Sequence, residues 1–369
     1  MDNKDLNVKA DALRKMLEEK QNVFILDVRP QEQREEWQIP GSEHLDAYKR
    51  LNVGDPTVLN EIDIPKDIPV ITVCAAGRTS QIAANELRKM GFEAYSLEGG
   101  MKAWSLAWNT AEVNEGDLTI TQVRRTGKGC LSYVLGSGKE AIVIDASLDP
   151  EVYIQIAKNK GWEIKYVLDT HVHADHLSRT RKLSELTGAK LFMPDQQKLQ
   201  YPFTKIFEGD VLKFGKSELK TLSTPGHTVD SSSYLINEKF LLTGDTLFTD
   251  GVGRPDLKAS EEEAIKRASL LYKSLQRIIM LPTDTIVLPG HISKPVEFDQ
   301  SIIGENLEEI KNKVSSLKLS EEDFIKTILS KIPPTPPNYL KVVEVNLVGD
   351  ITNVDPGDLE AGANRCAIS

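Results

Sequence analysis

A chain of 369 residues has room for two to three domains of about 150 residues each, and its 40% hydrophobic and 27% charged content is that of an ordinary globular protein with a core. The net charge of −10 argues against nucleic acid or an anionic membrane surface as the main partner. The N-terminal stretch MDNKDLNVKADALRKMLEEK lacks an apolar signal core, and no uncharged apolar run is long enough to cross a bilayer, so the expected location is the cytoplasm. Three cysteines, Cys74, Cys130 and Cys366, are too few and too scattered for a disulfide framework.

In chain order, the first 108 residues alternate helix and strand: a periodic helix near 9–19, VFILDV at 23–28, PVITVCA at 69–75, a helix near 79–90 and EAYSL at 93–97. Apolar strands separated by helices predict a parallel α/β sheet over 1–108. The polar segment WNTAEVNEGD, 108–117, has no clear period and is read as the domain boundary. Beyond it, YVLGSGKEAIVIDAS at 133–147 reads as a hairpin, so antiparallel pairing begins. Strands at 164–168, 190–193, 219–223, 234–237, 239–242 and 285–288 follow, with helices near 150–160, 178–187, 260–278 and 302–316; this predicts a layered α+β domain over 118–315. In the remaining 316–369, SEED at 320–323 has capping-box spacing and PPTPPNY at 333–339 must be extended. This extension is expected to pack on the second domain or to build a dimer contact, a homodimer being the expected state.

Cys74 sits where a buried strand ends and a helix begins, in CAAGRT. Small residues there let backbone N–H groups point inward, and the helix adds its positive end, so an anion or a thiolate is favoured. The bland alternative is a buried strand-end thiol. The first domain resembles a rhodanese, a sulfurtransferase, in this loop, in ILDVRPQEQREEWQIPGSEHL at 25–45 and in YSLEGGMKAW at 95–104. The resemblance implies that Cys74 takes a sulfane sulfur from thiosulfate or another donor, with Arg78 and Thr79 in the substrate loop. Many rhodaneses have Arg five residues after the cysteine, where Thr79 stands here; Cys-x-x-Gly-x-Thr is similar to the loop of thiosulfate and mercaptopyruvate sulfurtransferases. Ser80 disfavours a Cys-x5-Arg phosphatase.

Five of the six histidines fall in HVHADH at 171–176, TPGHT at 224–228 and LPGHIS at 288–293, and Asp245 joins them in FLLTGDTLF. Each motif follows a predicted strand, so the loops can converge, and imidazole with carboxylate suits zinc or iron rather than calcium or magnesium. Seven candidates are enough for two metals, and on spacing alone a dinuclear zinc hydrolase is the first guess. Their order resembles the metallo-β-lactamase fold superfamily over about 118–295, which implies an αββα sandwich. TGDTLFTDGVGRPDL, 243–257, resembles the persulfide dioxygenase branch, where one Fe(II) per chain is held by residues that match His171, His227 and Asp245. On that resemblance His173, Asp175, His176 and His291 orient ligands or hold a second metal, and Arg254 pairs with Asp256 to brace the site. Together the resemblances imply a bifunctional enzyme that oxidises glutathione persulfide or another small persulfide with O2 to sulfite and thiol. The rival is a two-zinc thioester hydrolase resembling glyoxalase II. Arg179 is read as a solvated cation with contact to an anionic substrate as the alternative, Cys130 as structural, and Cys366 as a loose terminal thiol with a redox or persulfide-relay role as the alternative.

Overall fold

The computed structural model describes residues 6–195, 198–336, 338–362 and 364–368. The N-terminal half is a five-stranded, all-parallel sheet in the order Asn7–Val8, Ala94–Leu97, Val70–Val73, Phe24–Asp27, Glu43–His44. Its inner strands are short apolar runs covered by helices such as Ala10–Glu18 and Arg78–Lys89, as a parallel sheet requires. Val70–Val73 is the central strand, so the loop that follows it, with Cys74, emerges at the carboxyl edge where ligand sites of open α/β sheets lie.

The second half is a sandwich of two mixed sheets. One has seven strands in the order Thr204–Ile206, Lys190–Pro194, Glu163–Leu168, Glu140–Ile144, Cys130–Ser137, Leu118–Arg125, Asn109–Glu115. The other has six, in the order Val211–Phe214, Ser217–Ser223, Ser232–Ile236, Phe240–Gly244, Ile286–Pro289, Glu305–Asn306. Inward-facing Ile120, Leu135, Ile142, Leu219, Tyr234 and Leu288 fuse the sheets into one core. Outside, Pro150–Lys160 and Thr180–Thr187 cover the first sheet, while Glu261–Ile278 and Glu321–Ser330 cover the second through Leu271, Leu275, Phe324 and Ile328. The result is the expected αββα order.

The segment read as a linker is different. Asn109–Glu115 is a strand, antiparallel to Leu118–Arg125 across seven residue pairs and closing the edge of the large sheet. Its polar residues hid an alternation: Asn109 and Ala111 are buried while Glu112 and Asn114 are exposed, the period of an edge strand with one face in water. The two halves also touch directly. Trp37 Nε1 donates to the Thr126 carbonyl (3.2 Å), Arg125 Nε donates to the Ser105 carbonyl (2.7 Å), and Phe298 packs on Trp104.

The C-terminal extension does more than cover a helix. Tyr339–Val348 packs Val342 and Val345 on Leu177, and Ala367–Ile368 pairs antiparallel with Val252–Gly253 beside Asp245. Among the described residues no helix is long and apolar enough to cross a membrane.

Candidate functional sites in a cysteine loop and a histidine cluster

Cys74 is 3% exposed, and its sulfur accepts from the Gly77 amide (3.1 Å) and the Ser80 hydroxyl (3.3 Å). Ser80 also bonds Ser96 Oγ, which fixes its rotamer. The loop is backed by Gly100, where a Cβ would lie 2.2 Å from the Cys74 carbonyl, so any side chain there would displace the cysteine. The two expected loop residues divide. Arg78 is exposed, whereas Thr79 is buried and its hydroxyl accepts from Asn52 Nδ2 (3.1 Å), which makes Thr79 part of the loop's support. Ser80 was noted only as a missing arginine, yet it is the side chain that touches the sulfur.

The histidine motifs do converge. His171, His173, Asp175 and His176 lie in the loop after Glu163–Leu168; His227 follows Ser217–Ser223, Asp245 follows Phe240–Gly244, and His291 follows Ile286–Pro289. All seven are at most 6% exposed. They form connected groups within which every ligand atom lies within 4.8 Å of the others: His171, His227 and Asp245; Cys130, Asp175, His176 and His291; and Asp145, Asp169 and His173. Gly290 is where a Cβ would meet Asp245 Oδ1 at 2.8 Å, so only glycine admits the carboxylate to this position.

Hydrogen bonds set the tautomers in the first group. Thr170 Oγ1 donates to Asp145 (2.9 Å) and therefore accepts from His171 Nδ1 (2.9 Å), leaving the His171 Nε2 lone pair aimed inward. His227 Nδ1 donates to the Arg254 carbonyl (2.8 Å), with the same effect at its Nε2. Both Nε2 atoms face Asp245 Oδ2, at 3.9 and 3.6 Å, while Asp245 Oδ1 accepts from His291 Nδ1 at 2.5 Å. Burial, reinforced by His173, holds the His171 imidazole well below its usual value; burial also lowers His227, against the pull of Asp245. Burial opposes ionisation of Asp245, but His291, His171 and His227 outweigh it and keep the carboxyl below the usual range. Two neutral imidazoles and a carboxylate are a metal-ready set. His171 Nε2 and Asp245 Oδ2 are buried with no hydrogen-bond partner among the described residues, which a divalent transition ion would satisfy.

His173 is organised otherwise. Its Nε2 lies 3.1 Å from Asp145 and 3.8 Å from Asp169, and although burial disfavours the cation, these carboxylates hold the ring well above its usual value. Asp145 and Asp169 are site residues that the motif scan missed, although each ends a strand beside the histidine cluster. Asp145 also adopts φ +56, a conformation rarely used without purpose by a residue other than glycine. His291 bridges the groups, its Nε2 lying 2.8 Å from Asp175.

Arg254, Arg179, Cys366 and Cys130 are all buried beside or within this cluster. Arg254 does pair bidentately with Asp256 (2.8 and 2.8 Å), but it is fully buried, and its guanidinium also donates to the Pro334 and Arg365 carbonyls. Arg179 is not solvated: it is 4% exposed and bonds Glu360 (2.6 Å), which also accepts from the Leu177 amide and pairs with Arg125. Cys366 is not a loose terminal thiol but is 1% exposed among Asp245 and His291. Burial, then Asp245 and Asp175, push that thiol well above its usual value. Cys130 lies 3.3 Å from Asp175; burial and Asp175 raise it, but His176 and His291 outweigh them and bring it to about 7.

Comparison with known proteins agrees with this architecture. Residues 125–291 match the metallo-beta-lactamase superfamily, and residues 9–107 match the rhodanese-like domain. The chain belongs to the metallo-beta-lactamase superfamily and carries a rhodanese-like domain ahead of it. It is similar to hydroxyacylglutathione hydrolase of Brucella ovis, 30% identical over 181 residues that make up 45% of this chain and 67% of the relative. Among solved structures, a metallo-beta-lactamase from Staphylococcus aureus superimposes with TM-score 0.58 at 26% identity, covering 64% of this chain and 74% of that one. ETHE1 from Myxococcus xanthus superimposes with TM-score 0.54 at 27% identity, covering 65% of this chain and 99% of that one.

Proposed function

We propose that this chain is a bifunctional sulfur-metabolism enzyme: an Fe(II)-dependent persulfide dioxygenase joined to a rhodanese-type sulfurtransferase that works through Cys74. The observation that carries the reading is the compact group of His171, His227 and Asp245, two imidazoles and one carboxylate, with the second histidine of the His-x-His pair grouped instead with Asp145 and Asp169. Such a set binds one Fe(II) and leaves positions open. A ferrous ion held there supplies redox chemistry toward O2.

The protein's part is positioning. A cavity of about 230 Å3 opens on His227, with Ala174 and Val343 as apolar wall, Tyr339 beside them, Lys258 and Arg267 as cations and Asp195 and Asp230 as carboxylates. An anionic thiol carrier such as glutathione fits this mixture, its carboxylates at the cations and its persulfide at His227. For each persulfide one O2 and one water are consumed; the terminal sulfur is oxidised and leaves as sulfite, and the parent thiol is released with its proton. In the first domain the Cys74 thiolate attacks a sulfane donor such as thiosulfate, the donor's S–S bond breaks, sulfite leaves, and the new persulfide is steadied by the Gly77 amide and the Ser80 hydroxyl. Transfer to a small thiol returns the cysteine and yields the dioxygenase substrate.

One observation favours a second reading. Asp175, His176, His291 and Cys130 form another ligand-capable group, and two metals would suit a zinc thioester hydrolase; the Brucella relative is named a hydroxyacylglutathione hydrolase. Oxygen uptake decides. Protein reconstituted anaerobically with Fe(II) should consume O2 when glutathione persulfide is added, release matching sulfite, and lose this in His227→Ala. Absence of uptake at verified iron occupancy, with thioester cleavage by protein holding two zinc ions per chain, would replace the dioxygenase by the hydrolase.

A further inference from the structure

The segment 364–368 is held at several points. The Cys366 amide donates to Asn364 Oδ1 (2.8 Å), its carbonyl accepts from the Arg254 amide (2.9 Å), and Ala367–Ile368 pairs with Val252–Gly253. Asn364 Nδ2 reaches Asp175 (3.2 Å), Arg365 pairs with Glu36 of the rhodanese-like half (2.7 Å), and Ile368 is 3% exposed in the core. Ordering a segment has an entropic cost on the order of 1–2 kcal/mol per residue, so this many anchors on five residues imply that the placement matters.

What these anchors hold in place is a thiol. The Cys366 sulfur, a His291 ring nitrogen and an Asp245 oxygen lie within 4.8 Å of one another, all buried. His291 Nε2 and Asp245 Oδ2 are both buried with no hydrogen-bond partner among the described residues, so a cation is called for on the His291 side of the cluster as well as beside His171 and His227. We infer that Cys366 is a metal ligand: the C-terminal segment delivers a thiolate to a divalent transition ion held by Asp245 and His291, beside the position of His171 and His227. On binding, the Cys366 S–H bond breaks, its proton leaves to solvent and the sulfur donates an electron pair to the ion; no redox change is involved. Sulfur with imidazole and carboxylate selects a borderline ion such as zinc, cobalt or ferrous iron over magnesium or calcium. Cys130 is the competing thiol, already hydrogen-bonded to Asp175.

The inference rests on the metal-centre reading but not on which reaction the centre performs, and Co(II) separates the two. Full-length apoprotein is titrated anaerobically with Co(II), and the visible ligand-field bands and the near-ultraviolet thiolate-to-cobalt charge-transfer band are recorded. The charge-transfer band should appear in the wild type, persist in Cys74→Ser and Cys130→Ser, and vanish in Cys366→Ser, which should keep ligand-field bands and bind Co(II) about tenfold more weakly or worse. Should Cys366→Ser fold poorly, elimination suffices, because the chain has only three cysteines and a band surviving both other variants belongs to Cys366. Ligand-field bands without charge transfer, or charge transfer lost in Cys130→Ser, overturns the Cys366 ligand alone. Failure to bind Co(II) at all overturns the metal-centre reading with it.

Discussion

The two candidate centres are built by opposite constructions. The rhodanese-like site is local: Cys74, Gly77 and Ser80 lie on one loop and the first turn of one helix, supported from elsewhere by Gly100, Ser96 and, through Thr79, Asn52. The metal centre is assembled at long range, from Asp145 to Cys366, at the ends of strands in both sheets and on the C-terminal segment. A local site depends on one turn being formed, whereas a distributed one depends on the whole sandwich and on what clamps its loops. Perturbations should therefore separate the centres in a predictable way.

The largest effect belongs to the local site. Cys74→Ala should lower sulfur transfer from thiosulfate to a thiol by more than about 10³-fold, as loss of a nucleophile does, without altering metal content. Undiminished transfer in a thiosulfate assay of that variant would remove the first domain from the proposed mechanism.

Next comes the clamp. Glu360 is fully buried between Arg125 and Arg179 and caps the Leu177 amide, so Glu360→Gln leaves two buried cations short of a partner and should destabilise the second half by about 3–5 kcal/mol in urea denaturation. Burial opposes its ionisation, but the two arginines outweigh this and lower its pKa from 4.5 to about 2. A depressed carboxyl stabilises the fold above its unfolded value and loses that contribution as the pH falls through the folded one. Wild-type stability should accordingly decline between about pH 5 and 2, more steeply than that of the Gln variant. Parallel pH profiles would show that the pair does not clamp.

The smallest effect concerns His173, read as a positioning residue. His173→Asn should weaken metal retention about 10- to 100-fold in equilibrium dialysis, while thiosulfate sulfur transfer stays unchanged. A loss as deep as that of His227→Ala would instead make His173 a ligand.

How much of this could be read in the sequence follows the same division. Strand, loop and helix around Cys74 were legible because apolar runs and small residues are neighbours in the chain. His171, His227, Asp245 and His291 were legible as motifs because each sits at a strand end with glycine or histidine beside it. Asp145, Asp169 and Glu360 were not, because an acidic residue at a strand end or in a tail looks the same whether it faces water or a buried imidazole or guanidinium. Arg179 was misread for the same reason. Cys366 could not be placed at all, since only the pairing of Ala367–Ile368 with Val252–Gly253 brings it to Asp245.

The edge strand Asn109–Glu115 bears on how the molecule can be divided. Because it pairs with Leu118 through Arg124, the join between the two halves is a working member of the second sheet. A fragment starting at Leu118 would bare a row of backbone donors and acceptors on a strand otherwise buried, the kind of rim on which unrelated chains stack into aggregates. Cutting ahead of Trp108 spares that rim but strips away the contacts of Trp37 and Ser105. The halves thus share a seam that no single scission leaves clean, and dissecting them calls for point substitutions in the intact chain.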